Sequence, residues 1–181
     1  MEETIFRELT QADLEPGLFA EFRRRQQVKR CWRKAEGRWV LKDIAFTDDW
    51  DAGDHVRVCG QLAEALTHRG RAWGAFAAGK LKGFASVDGR LIGSQRQYAV
   101  LAELHVSEER RGQGLGRRLF TLASGFAREL GARKLYISAM SAEESQAFYR
   151  AMGCVEAEEY DPPHVEKEPC DVQMECQLYP F

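Results

Sequence analysis

The stretch that most constrains this 181-residue chain is Ser107–Phe120, SEERRGQGLGRRLF. Gly112, Gly114 and Gly116 stand at alternate positions among arginines, and an apolar run with helical spacing follows at once. Leu115, Leu119, Leu122, Phe126 and Leu130 form the stripe of an amphipathic helix closed by Gly131. Gln97–Val106 before the loop and Lys134–Met140 after the helix read as strands. A helix that crosses between neighbouring strands makes them parallel, with a right-handed connection. The glycine loop then lies at the carboxyl edge of the sheet, where open α/β sheets bind ligands. Unpaired N–H groups at a helix start, backed by its dipole, favour an anion, and glycines let that anion come close.

Two common phosphate loops do not fit. A dinucleotide fingerprint needs G-x-G-x-x-G with an acid after the second strand, whereas the spacing here is G-x-G-x-G and Glu129 falls inside the helix. A P-loop needs Gly-Lys followed by Ser or Thr, and Gly116 is followed by Arg117 and Arg118.

Elsewhere the chain reads as alternating short elements. Thr4–Leu9 is a strand, Leu14–Val28 a helix with Leu18, Phe19 and Phe22 on one face, and 28–44 a hairpin turning at Ala35-Glu36-Gly37. A helix runs from Asp54 to Thr67, and two strands follow Trp73 with a turn at Gly79-Lys80. Ser141, with Glu144 three residues on, reads as the N-cap of a helix carrying Phe148 and Tyr149 and ending at Gly153. Val172, Met174, Cys176 and Leu178 alternate with polar residues, the pattern of a strand with one solvated face.

Composition narrows the partners. The net charge of −2 gives no whole-molecule pull toward nucleic acid or membrane. The acidic N-terminus MEETIFRELT is no signal peptide, and no window is apolar enough to span a bilayer. Five scattered cysteines without C-x-x-C argue against a disulfide framework and against zinc, and favour the cytoplasm. Four histidines without ligand spacing leave no metal expected.

Arg111-Gly112-Gln113-Gly114-Leu115-Gly116 matches R/Q-x-x-G-x-G/A, and LHV before it, the amphipathic helix, LYI and AFYRAMG follow in order. From Tyr98 to Cys154 and on to the closing strand, the chain resembles the GNAT superfamily of acetyl-CoA-dependent N-acetyltransferases. The resemblance implies an α/β fold with a mixed sheet of about seven strands, splayed between two parallel central strands. It implies one domain over 1–181, with 1–95 on the acceptor side, including a hairpin insertion around 28–50, and 96–181 on the acetyl-CoA side.

By the same resemblance, the main chain of Arg111, Gly112, Gln113, Gly114, Leu115 and Gly116 holds the pyrophosphate, with Arg117 adding charge. Leu104, His105 and Val106 offer backbone groups to the pantetheine arm. Tyr149 is the general acid beside the thioester sulfur. Glu103, between apolar neighbours, is the candidate base, or else the ion-pair partner of Arg96 or Arg110. Such a base is needed because an amine of pKa about 10 leaves roughly one molecule in a thousand unprotonated at pH 7. Ala142 stands where the family often has Asn, so Ser145 is left to supply that bond, and Cys154 replaces a usual Phe. Trp32 and Trp50, with Trp39 and Phe46, could wall an acceptor pocket. Asp48 and Asp49 could attract a cationic small-molecule or lysine-type amine, or, with Asp51 and Asp54, simply cap the next helix. A homodimer is compatible with this reading. The competing class is a module that binds coenzyme A or docks to a partner without catalysis.

Overall fold

A computed structural model describes residues 3–179. Its centre is a seven-stranded sheet in the order β1-β4-β5-β6-β7-β9-β8. The strands are β1 (Thr4–Glu8), β4 (Arg71–Ala77), β5 (Lys80–Ile92), β6 (Tyr98–Val106), β7 (Lys134–Ala139), β8 (Val155–Glu156) and β9 (Val172–Gln177). A separate hairpin pairs β2 (Arg25–Ala35) with β3 (Arg38–Asp49). Four helices accompany them: α1 (Ala52–Thr67), α2 (Leu115–Glu129), α3 (Glu143–Ala151) and α4 (Pro162–Lys167).

Strand alternation builds a core on each face of the sheet. Trp73, Ala85 and Leu101 pack with Leu119, Ala123 and Phe126 of α2. Their neighbours Ala72 and Phe84 point the other way, toward Val58 and Leu62 of α1 and toward Phe19 and Phe22.

The parallel pair decides where a site forms. β6 and β7 are joined only at Tyr98 with Lys134, Ala99 with Leu135 and Val100 with Tyr136. Beyond Val100 the strands separate, while β6 remains paired with β5 as far as Val106. The edge of β6 from Leu101 to Val106 that faces β7 is therefore open, which is the expected splay.

Three local expectations are corrected. Leu14–Val28 is not a helix: it forms one short 3-10 turn, Pro16–Phe19, with another, Gln11–Asp13, just before it, and the chain enters β2 at Arg25. Pro16 and Gly17 interrupt helix growth, and pairing with β3 extends Arg25–Val28 instead. Phe19 and Phe22 are nonetheless buried as their apolar character requires. Ser141 does not cap α3, whose N-cap is Ala142 without a side-chain bond. The hairpin takes Ser141 instead: Arg33 Nη1 donates to its Oγ at 2.6 Å and Trp32 N–H to its carbonyl at 2.8 Å. The polar face of β9 is buried at Gln173 and Glu175 and exposed only at Gln177, because Tyr98 of β6, Tyr136 and Ser138 of β7 and the Glu158 N–H supply the hydrogen bonds that those two side chains need.

Candidate active site

α2 begins where the glycine loop turns. Gly112 and Gly114 adopt φ of +73° and +86°, the left-handed region that costs any other residue strain, and a Cβ on either would enter open space. Gly116 lies where a Cβ would come 3.2 Å from Phe148. Among the described residues, no hydrogen bond reaches the main-chain N–H groups from Gly112 to Arg117. They sit at the positive end of the α2 dipole.

A cavity of about 540 Å³ opens over this loop. Leu104, His105 and Val106 of β6, Arg110, Arg111 and Arg117, and Ser145, Phe148 and Tyr149 of α3 line it. An apolar wall, a row of unpaired N–H groups and several guanidiniums make it a site for a long ligand with an anionic end. Gln113 does not line it, as its Nε2 donates to the Glu109 carbonyl at 3.1 Å.

A second cavity of about 620 Å³ occupies the other side of the splay. Asp48, Trp50, Glu103, Met140, Ser138 and Asp171 are among its walls. Arg24, Leu104, His105, Ser145 and Tyr149 border both cavities, so the two meet there.

Tyr149 stands at the junction, half-buried, its ring 5.2 Å from that of Phe148. Burial, with the charge of Glu103 adding, pushes its phenol well above the usual tyrosine range, so the hydroxyl keeps its proton. Glu103 and His105 are two residues apart on β6 and share a face. His105 Nε2 lies 2.7 Å from Glu103 Oε2, so Glu103 has His105 as a partner. The other ring nitrogen, Nδ1, accepts from Arg24 Nε at 3.2 Å.

Residues 13–154 match the acetyltransferase (GNAT) family. The chain belongs to that family. No curated protein sequence is recognisably similar to it. Among solved structures, it resembles nourseothricin acetyltransferase, with a TM-score of 0.67 at 20% identity over 97% of this chain and 99% of that one. A candidate streptothricin acetyltransferase of Bacillus anthracis, in complex with acetyl coenzyme A, aligns with a TM-score of 0.69 at 16% identity over 96% and 95%. PaiA N-acetyltransferase of Thermoplasma acidophilum, in complex with coenzyme A, aligns at 0.59 and 17% over 97% and 99%. At these identities the likeness establishes the fold.

In this GNAT protein the residues expected on the acceptor side divide. Asp48 and Trp50 reach the second cavity. Trp32 does not: its ring lies under the Arg150 guanidinium at 4.7 Å. Asp49 also lies elsewhere, with Arg25 at 3.8 Å, while Asp51 and Asp54 cap α1 through reciprocal 3.0 Å bonds. β3 runs to Asp49, so alternation sends Asp48 and Asp49 to opposite sides. Sequence reasoning missed Arg24 and Asp171. Arg24 was hidden within a run of nine basic residues between Phe22 and Lys42, and Asp171 within an acidic run. Neither carries a local signal.

Among the described residues no group of three or more His, Cys, Asp or Glu side chains could hold a metal ion, and no helix is long and apolar enough to cross a membrane. All five cysteines are free thiols.

Proposed function

We propose that this GNAT protein moves the acetyl group of acetyl-CoA to a primary amine of a cationic acceptor, with both substrates bound together. The observation that carries the proposal is the meeting of two cavities at Tyr149, one floored by unpaired N–H groups and the other containing Glu103. Acetyl-CoA supplies the activated acetyl group. The N–H groups from Gly112 to Arg117 hold its pyrophosphate, with Arg111 and Arg117 adding charge. The open edge of β6 at Leu104, His105 and Val106 pairs with the pantetheine arm, and Ser145 lies beside it. Glu103 accepts the proton that the ammonium must lose, and Tyr149 donates a hydrogen bond to the departing sulfur. The free thiols suit a reducing compartment, the cytoplasm.

Support for a cationic acceptor comes from which acids remain unpaired in the second cavity. Asp48 lies 3.3 Å from Arg24, and Asp88 is held by Arg90 at 2.6 Å. Among the described residues, the side-chain hydrogen-bond partner of Asp171 is neutral, the Ser138 hydroxyl at 3.1 Å. Burial, with the nearby Glu168 charge adding, pushes its carboxyl up to about 6 despite that hydroxyl. A second cationic nitrogen on the acceptor would stabilise the ionised form.

The test of the function is release of free thiol from acetyl-CoA in the presence of a panel of amines, with mass spectrometry of the product. No acetylated amine, from a protein that binds acetyl-CoA, would leave only the binding-module reading. Asp171→Asn is expected to raise KM for a diamine about tenfold, near 1.4 kcal/mol, while KM for a monoamine stays within twofold. In the wild type, KM for the diamine should rise as pH falls from 7 to 5, because Asp171 takes up a proton through about 6. Equal effects on both amines would remove Asp171 from acceptor binding. Gly114→Ala is expected to weaken coenzyme A binding about tenfold by calorimetry, since a Cβ at positive φ costs about 1–2 kcal/mol and relaxing that strain turns the N–H row. Unchanged affinity would mean that the loop is not the pyrophosphate site.

A further inference from the structure

Arg24 has no assigned role, yet it is the most buried cation beside the reacting groups, with 9% of its surface exposed. It immediately precedes β2, and its carbonyl accepts from Trp50 N–H at 3.0 Å, which ties together the two ends of the hairpin. Its guanidinium runs inward, 3.3 Å from Asp48 and 5.8 Å from the centre of the Trp50 ring. Nη1 is buried and has no hydrogen-bond partner among the described residues. Burying a guanidinium with an unsatisfied donor costs several kcal/mol, and a single pairing with Asp48 is a weak return in stability. Something other than stability accounts for this placement.

The hydrogen bond to His105 supplies the reason. Burial lowers the pKa of Arg24, but a guanidinium does not lose its proton in a protein, so Nε is always a donor. Its partner His105 Nδ1 must then be bare. The neutral imidazole therefore carries its hydrogen on Nε2 and donates it to Glu103 Oε2, 2.7 Å away. In the other tautomer, the Nε2 lone pair would face the carboxylate, and the 2.7 Å contact would turn from a bond into a repulsion. The rings of Trp50 and Phe84, with centroids 4.7 and 5.2 Å from that of His105, restrict rotation of the imidazole.

Resting on the acetyl-transfer reading above, we propose that Arg24 is a positioning residue for amine deprotonation. It fixes the tautomer of His105, and His105 in turn holds one oxygen of Glu103, leaving the other to take the proton. In that step an ammonium N–H bond breaks, its electron pair stays on nitrogen, and a new O–H bond forms on Glu103. His105 neither gains nor loses a proton. Glu103, rather than the more conspicuous histidine, is thus the terminal acceptor.

The test uses the full chain labelled with ¹⁵N-histidine, the signals of His105 being assigned by their loss in His105→Gln. In the wild type, Nδ1 should give a pyridine-like shift and Nε2 a pyrrole-like one. In Arg24→Met the two shifts should move toward a mixture of tautomers, and kcat for the best amine should fall at least about tenfold, a fraction of the full effect of losing a general base. A merely structural role for Arg24 would lower the melting temperature without moving the tautomer. A wild-type spectrum with the proton on Nδ1 overturns the proposal even if Arg24→Met does not fold. Turnover by the wild type, with tautomer and kcat unchanged in Arg24→Met, overturns the role of Arg24 alone. Absence of turnover with every amine overturns the proposed function and this role with it.

Discussion

Tyr149→Phe is expected to lower kcat for acetyl transfer by about 100- to 1,000-fold while leaving coenzyme A affinity within twofold. The expectation rests on what the substitution keeps and what it removes. The ring is kept, and with it the packing against Phe148 at 5.2 Å. The hydroxyl is removed, and no group among the described residues is hydrogen-bonded to it, so no buried partner is stranded. Folding stability should therefore change by less than about 1 kcal/mol. The loss should fall on the step in which negative charge appears on sulfur, because only there does a donor at the cavity junction matter. Thiol release with saturating acetyl-CoA and amine measures kcat, calorimetry with coenzyme A measures binding, and the melting temperature checks the fold. If kcat survives in a folded variant that binds coenzyme A normally, the proton donor is some other group.

The largest stability effect is expected far from this chemistry, at Glu175→Ala. Glu175 is 3% exposed on β9. It accepts from the Tyr98 hydroxyl at 2.5 Å, from Lys134 Nζ at 2.6 Å and from Glu158 N–H at 3.2 Å. Removing the carboxylate leaves the buried Tyr98 phenol without its acceptor and Lys134 with only the exposed Glu158 at 2.9 Å, at a cost of about 3 kcal/mol. Urea denaturation should show this as a lower midpoint with an unchanged slope. A loss below about 1 kcal/mol would mean that water replaces the carboxylate. The pH dependence has a definite sign. Burial alone would push the Glu175 carboxyl up, but the bonds from Lys134 and Tyr98 outweigh it and leave it below the ordinary glutamate value. Its contribution is therefore complete above the unfolded value of about 4.3 and is lost as pH falls through the lower folded value. Over that acid range the wild type should lose stability faster than Glu175→Ala.

Glu175 also shows where reading the sequence goes astray. Val172, Met174 and Cys176 alternate with Gln173, Glu175 and Gln177, and the alternation correctly indicates a strand. It does not say whether the polar face meets water. Gln173 and Glu175 are buried, and Tyr98, Tyr136, Ser138 and Lys134 supply the bonds that burial demands. The N-terminal segment fails in a related way. Leu18, Phe19 and Phe22 repeat like a helix face, yet a strand partner contributed by Thr47–Asp49 draws the chain from Arg25 onward into β2.

By itself, the sequence determined the parts whose physics is local. A left-handed backbone requires glycine at 112 and 114, an apolar stripe of helical period requires α2, and together they place unpaired N–H groups at the end of β6. The motif that indicates the family lies within this unit and the helix after the next strand. Only the tertiary structure decided what stands opposite. Arg24 meets His105 across 81 residues, and Asp171 and Asp48 enter the same cavity from opposite ends of the chain. Such contacts depend on where the strands separate and on how a hairpin and a late loop close over the gap. No short-range pattern encodes that, because each side chain is placed by packing against residues distant in sequence.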